Sequence, residues 1–340
     1  MSEEREVSTA YNSGVYWKGM EKSYRIEKSD SKVHWDEFVL EHGGHPLQLW
    51  GWGDLKTAHN WSVERFFVIE DDVTIGAVQL LIRKLPKPFG HLLYVPRGPV
   101  IVGDTAAAVY EQLVAYAKRS HKAVALTVEP VGDQPPAGEG WIQSTNTILP
   151  SHTLLLDLKR PEGSLLADMS SEVRDAIREA GNQQLTIKRI GNPDDITDCL
   201  DIYKQTAERQ AFHLRKDQYY YDLQNKLGEN SALFGCYEND QLVAFLWLAL
   251  SESVAFELYG GASERGMELQ AAQLLRWETI RRMKQWGIDT YDLGGVTDHE
   301  NDTARGFSAD TFDHTGTFDI AMSPLYSLWR RVVRMRKGGE

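Results

Sequence analysis

Residues 269–296 constrain the fold most tightly. Leu269, Ala272, Leu275, Ile280 and Met283 recur at helical spacing, with Gln270, Gln273, Arg276, Arg281 and Arg282 elsewhere on the cylinder, so the segment from Leu269 to Trp286 reads as an apolar-striped helix. Gly287 supplies its stop. Thr290-Tyr291-Asp292-Leu293-Gly294-Gly295-Val296 then reads as a short strand ending in a double glycine, where backbone can approach a ligand with no Cβ in the way. An ordinary αβ corner whose glycines only make a turn fits the same spacing.

The rest of the chain repeats an α/β plan twice. The first half predicts strands over Arg65 to Glu70, Thr74 to Leu85 and His91 to Tyr94, a helix from Thr105 to Ser120, and strands Ala123 to Glu129 and His152 to Leu158. The second predicts a helix from Ser164 to Ala180, a strand Leu185 to Ile190, and helices Pro193 to Ala211 and Asp217 to Leu227. Strands Ala232 to Tyr237, Gln241 to Leu250 and Ser253 to Tyr259 precede the striped helix. Asp71-Asp72 and Asn239-Asp240 each separate two strands as hairpin turns. One duplicated α/β unit explains this, and 340 residues is comfortable for two domains.

Cys199 and Cys236 make neither a metal spacing nor a disulfide framework, which favours a reduced, cytoplasmic setting. Met1 to Lys32 is polar, lacks the apolar core of a signal peptide, and reads as a disordered lead-in. No apolar run reaches the ~20 residues of a membrane span. His42 and His45, with no further Cys or His at useful spacing, read as a surface loop rather than a metal site. The net charge of −12 argues against a protein that coats nucleic acid, yet Trp329 to Lys337 carries five cations in nine residues. Such a tail suits phosphate, of tRNA or of an anionic lipid surface; a solvated terminal helix is the plain alternative.

Several motifs occur in order along the chain: Trp52-Gly53-Asp54-Leu55-Lys56, Tyr94-Val95-Pro96-Arg97-Gly98-Pro99-Val100, the helix around Arg174 and Arg178, Tyr259-Gly260-Gly261-Ala262-Ser263, and Tyr291-Asp292-Leu293-Gly294-Gly295-Val296 with Trp277 and Trp286 before it. Together they resemble the Fem family of aminoacyl-tRNA-dependent peptidyltransferases, which lengthen the interpeptide bridge of bacterial peptidoglycan. The resemblance covers roughly residues 33 to 330. It implies an α/β fold of two acyl-CoA N-acetyltransferase-like (GNAT-like) units in tandem. The first unit would comprise residues 33–153 plus 317–340 and bind precursor, and the second residues 154–316, after a lead-in over residues 1–32. No charged heptad stretch lies between Ser164 and Ile190, so the chain resembles the branch without an inserted coiled-coil arm. The turn Glu264-Arg265-Gly266-Met267-Glu268 sets one glycine beside two carboxylates where a GNAT cradles the CoA pyrophosphate, which disfavours CoA. No cofactor or metal is expected.

The same resemblance places the site. Lys56, Arg215, Tyr219 and Tyr259 match residues that hold the diphosphate and carboxylates of a cell-wall precursor. Glu129, at the place of an Asp-Pro in relatives, is the candidate for proton transfer, with a strand-end carboxylate that orders its loop as the alternative. Asp292 is expected to bond backbone amides and hold its turn. Phe307 matches the first residue of a Phe-Lys pair at the transfer site, but Ser308 replaces the lysine. Arg305, Arg330, Arg331 and Arg334 are the cations available for tRNA. The implied activity moves an amino acid such as Gly, Ser or Ala from aminoacyl-tRNA to the side-chain amine of a peptidoglycan precursor, lipid-linked or UDP-linked. The protein would be cytoplasmic, with peripheral contact to an anionic membrane open. A relative acting on a soluble peptide or antibiotic intermediate is the alternative within this chemistry, and Ser308 keeps a catalytically inactive binding homologue in view.

Overall fold

A computed structural model describes residues 22–144, 146–295, 304, 306–308 and 311–337, without the side chains of residues 193, 194, 336 and 337. Among these residues the chain forms two large twisted sheets and a two-stranded ribbon. The first sheet runs Tyr24–Lys28, Ser62–Glu70, Val73–Lys84, His91–Pro96, Ala123–Glu129, Phe318–Ala321, Ile142–Gln143, with Val100–Ile101 on its third strand. The second runs Leu185–Ile190, Ser231–Glu238, Gln241–Leu250, Val254–Ala262, Thr290–Asp292, Leu155–Asp157. Each is antiparallel across four strands and then has one parallel pair, His91–Pro96 with Ala123–Glu129 in the first and Val254–Ala262 with Thr290–Asp292 in the second. This is the tandem GNAT-like architecture.

Local chemistry sets these elements. Asp71 and Asp72, like Asn239 and Asp240, have positive φ at both positions, the type I′ geometry whose twist matches the strands it joins. Gly287, at φ +85°, ends the Ala271–Gln285 helix. That helix buries Leu275, Ile280 and Met283 on one face of the second sheet, while Pro193–Gln210 and Asp217–Leu227 cover the other face with Leu200, Tyr203, Tyr220 and Leu223. Ala106–Ser120 covers the first sheet with Val109, Leu113 and Tyr116, and Lys32–Glu41 adds a small core around Trp35 and Val39.

Four expectations are corrected. Tyr24–Lys28 belongs to the first sheet, pairing antiparallel with Ser62–Glu70, so the lead-in cannot extend to residue 32. The helix expected from Ser164 to Ala180 is two, Glu162–Asp168 and Ser171–Gly181, because Ser170 leaves the helical region and caps the second by accepting from Val173 N. Likewise Gln270, at φ +54°, divides Glu264–Glu268 from Ala271–Gln285. His45 is 4 % exposed rather than on a surface loop, its Nδ1 accepting from Leu47 N at 3.2 Å. Burial, reinforced by Arg97, pushes its imidazole down to about 3.

Candidate functional site

The two sheets meet where the Trp50–Ala58 helix of the first packs on Asp217–Leu227 of the second. Gly51 makes that contact: a Cβ there would lie 2.3 Å from the carbonyl oxygen of Lys226. Leu55 is fully buried one turn on. Asp54 anchors the helix to its own sheet by accepting from Arg65 at 3.1 Å, and Arg65 also donates to Gln79 at 2.7 Å. Lys56 lies four residues after Trp52, so both share a helix face, and its ammonium stands 4.1 Å from the centre of the buried Trp52 ring.

Across the junction, Lys56 Nζ donates to the Tyr219 hydroxyl at 3.0 Å. Arg215 lies over the Tyr219 ring at 4.6 Å, and the phenol of Tyr259 is close enough to both Tyr219 and Arg215 to feel their charge and dipoles. The structure thus gathers Lys56, Arg215, Tyr219 and Tyr259 in one cluster, although Lys56 and Tyr219 are 163 residues apart. Arg215 is its exposed member, while Tyr219 is 2 % exposed. Burial first, then the neighbouring Arg215, pulls the Lys56 ammonium down to about 7. Burial holds both phenols above their usual value. Two cations and two phenolic donors at the edge of a buried seam suit an oxyanion-rich ligand, which would return the missing counter-charge to Lys56.

Glu129 lies deeper, 1 % exposed, and its carboxylate is fully engaged. Tyr94 donates to one oxygen; the other accepts from Ile148 N at 2.9 Å, Leu149 N at 3.0 Å and Thr317 Oγ1 at 2.6 Å. Such a carboxylate ties the segment connecting the sheets, and the returning strand, to the end of Ala123–Glu129. In this arrangement it orders its surroundings and has no lone pair aimed at solvent. Arg97, from the same seam, donates to Pro150 O at 2.6 Å.

Asp292 accepts from Thr153 Oγ1 at 2.6 Å and from Gly294 N at 2.9 Å, holding the glycine turn. Burial alone would raise its carboxyl, but the His314 imidazole 3.8 Å away and the hydrogen bonds from Thr153 and Gly294 hold it below the usual range. Gly294 has φ +79°, and a Cβ there would sit 2.2 Å from Glu257 O, so the double glycine lets the chain pass against a neighbouring strand. Phe307 is fully buried, its ring 5.2 Å from the Arg276 guanidinium, which forms a two-pronged ion pair with Glu257 at 2.8 and 2.9 Å. The Phe307 ring belongs to the core beneath the Ala271–Gln285 helix, apart from the core that holds Tyr219 and Tyr259.

Of the tRNA candidates, Arg305 lies outside the described residues. Arg330, Arg331 and Arg334 stand on the Tyr326–Lys337 helix, which docks on the first sheet, whereas Phe307 lies in the core of the second unit. At the GNAT pyrophosphate turn, Arg265 is taken by Glu238 at 2.7 and 2.9 Å and by Glu268 at 3.0 Å. A cavity of about 260 Å³ beside the start of Ala271–Gln285 is lined by Glu172, Asp175 and Glu179. Phosphates there would meet carboxylates.

The chain belongs to the FemAB family, whose signature it matches over residues 31–133, 140–241 and 235–333. It is 26 % identical over 210 residues to the lipid II:glycine glycyltransferase of Staphylococcus saprophyticus, covering 56 % of this chain and 50 % of that one. The lipid II:glycine glycyltransferase of Staphylococcus epidermidis is 27 % identical over 214 residues, covering 57 % and 51 %. The chain thus spans about half the length of the curated relatives it matches. Among solved structures it superposes on FemX with a TM-score of 0.78 at 20 % identity, covering 92 % of this chain and all of the other. A tandem GNAT protein from the clavulanic acid biosynthesis pathway superposes at 0.51 with 14 % identity, covering 89 % and 99 %. These two likenesses concern fold alone.

Proposed function

We propose that this chain is an aminoacyltransferase that moves an amino acid from aminoacyl-tRNA to the side-chain amine of a peptidoglycan precursor. The observation that carries this reading is the convergence of Lys56, Arg215, Tyr219 and Tyr259 at the junction of the two units. Their chemistry fits a diphosphate with carboxylates, and the staphylococcal relatives are named for glycine and lipid II. Glycine on a lipid-linked acceptor is therefore the first pair to test.

The acceptor amine would attack the ester carbonyl; an N–C bond forms, the C–O bond to ribose breaks, and the amine's proton ends on the departing ribose oxygen. The ester is already activated, so positioning supplies much of the acceleration. The Lys56 cluster fixes the acceptor by its anionic end. Asp292, Gly294 and Glu129 act as positioning groups that hold the seam.

Purified protein with a mixed pool of charged tRNA, and with lipid-linked or UDP-linked precursor in parallel, should yield acceptor heavier by one amino acid residue. Arg215→Ala should lower kcat/KM by about 1.5–3 kcal/mol. Precursor binding without any mass gain would instead assign the chain as an inactive binding homologue, the reading that Ser308 motivates. Mass gain only on a soluble peptide would move the acceptor class.

A further inference from the structure

On a chain of net charge −12, one surface of the first unit is built from segments free of acid. Residues 83–103, 112–128 and 320–339 contain no Asp or Glu, and the fold brings these segments together. His91 N donates to Lys122 O at 3.2 Å, Met322 N to Val124 O at 3.1 Å, and the Phe89 and Trp329 rings lie 5.3 Å apart. Arg83, Lys84, Lys87 and Lys122 on the body of the unit, and Arg331 and Arg334 on the Tyr326–Lys337 helix, are exposed and form no ion pair among the described residues. The neighbouring acid, Glu64, is already engaged by Lys28, Tyr116 and His121.

The helix supplies the second half of the argument. Tyr326 donates to Asp319 at 2.9 Å and Trp329 packs on Phe89, which fixes its inner side. Leu328, 48 % exposed, and Met335, 69 % exposed, are seven residues apart on the outer side, with half-buried Val332 between them. Arg331 and Arg334 flank this stripe. RNA phosphates would use the arginines and leave the apolar stripe in water. A bilayer interface uses both, since acyl chains take Leu328 and Met335 while anionic headgroups take the cations.

We propose that this face, with the Tyr326–Lys337 helix at its centre, docks the protein on the surface of an anionic phospholipid bilayer. The full chain should float with vesicles of phosphatidylcholine mixed with phosphatidylglycerol and stay behind with phosphatidylcholine alone, and raised salt should weaken the binding. Arg331→Gln with Arg334→Gln should reduce partitioning roughly fivefold per arginine. Leu328→Ser with Met335→Ser should reduce it at least about tenfold, while Lys188→Gln on the second unit should leave it unchanged. All five positions are exposed, and circular dichroism confirms that each variant is folded. No binding to anionic vesicles, or binding that both double variants leave intact, overturns the proposal. If the serine variant binds vesicles normally while the glutamine variant loses a tRNA pool in a gel shift, the face belongs to RNA. None of these measurements needs transferase activity, so vesicle binding without transfer would count against the proposed reaction alone.

Discussion

In the first unit the parallel strands His91–Pro96 and Ala123–Glu129 are bridged by Tyr94 and Glu129, while in the second Val254–Ala262 and Thr290–Asp292 are bridged by Glu257 and Tyr291. The phenol and the carboxylate have exchanged strands between the two copies. Burial and the adjoining carboxylate hold both phenols well above their usual value, so each stays a donor. What surrounds the carboxylates differs. Glu257 carries an arginine in a two-pronged pair on the central helix of its own unit, whereas Glu129 is bonded by a phenol, a hydroxyl and two backbone amides, three of them from segments entering from outside its sheet. The duplicated pair is thus an internal ion pair in one unit and a clamp between chain segments in the other.

Breaking the ion pair should cost most. Arg276→Met strands Glu257 as a buried charge, and urea unfolding should show a loss of about 3–5 kcal/mol. Replacing Glu257 by Leu in the same chain should recover much of it. A single variant as stable as the parent would show that Arg276 does not neutralise Glu257.

Glu129→Gln should cost less, about 1–3 kcal/mol, because an amide keeps one acceptor but cannot serve four donors. Its effect should be localised: limited proteolysis should accelerate near Ile148 and Leu149 before the sheets unfold, which the Glu257→Gln variant should not reproduce. Uniform acceleration in both variants would erase the distinction drawn between clamp and ion pair.

Gly51→Ala probes the seam itself. A Cβ at 2.3 Å from Lys226 O forces two helices apart, at a cost of about 1–3 kcal/mol. Because Lys56 and Tyr219 sit on those same helices, binding of precursor should weaken by more than the loss of stability alone explains. Equal precursor affinity with a lower Tm would separate the seam from the cluster.

Much of the fold was legible, and the failures have physical causes. The Ala271–Gln285 helix announced itself by period, and the two hairpins by Asp71-Asp72 and Asn239-Asp240, residues that tolerate positive φ. Tyr24–Lys28 was hidden because it is a largely exposed edge strand with alternating charges, which reads as tail. Trp50–Ala58 was hidden by Gly51 and Gly53, which argue locally against a helix; close packing on Lys226 and on Arg65 with Gln79 requires them there. Nothing local joins Lys56 to Tyr219, so those four site residues were readable only through family resemblance. Arg97 stands in one of the family motifs and Glu129 at a strand end, yet nothing local names Pro150 as the partner of the first or Ile148, Leu149 and Thr317 as partners of the second, since these come from distant segments, and His314 carries no signal at all.

The smallest effect concerns charge at the cluster, and pH reads it. Lys56, pulled down to about 7, loses its proton near neutrality in the free protein. An acceptor phosphate beside it favours the ammonium, so the bound-state value lies higher and binding takes up a proton above about pH 7. Precursor affinity should therefore be flat below that point and fall about tenfold per pH unit above it, up to the bound-state value. The same shift acts on folding in a defined direction. The unfolded chain binds more protons than the native one between about 7 and the ordinary lysine value of 10.5, so the penalty for burying the ammonium is full below 7 and relieved as pH rises through that window. Lys56→Arg keeps its charge throughout and should abolish the slope in affinity, while Lys56→Met should remove the slope in stability. Titration calorimetry in buffers of different ionisation enthalpy measures the proton uptake directly. Affinity independent of pH, with no uptake, would take the phosphate away from Lys56 and leave Arg215 as its only charged partner in the cluster.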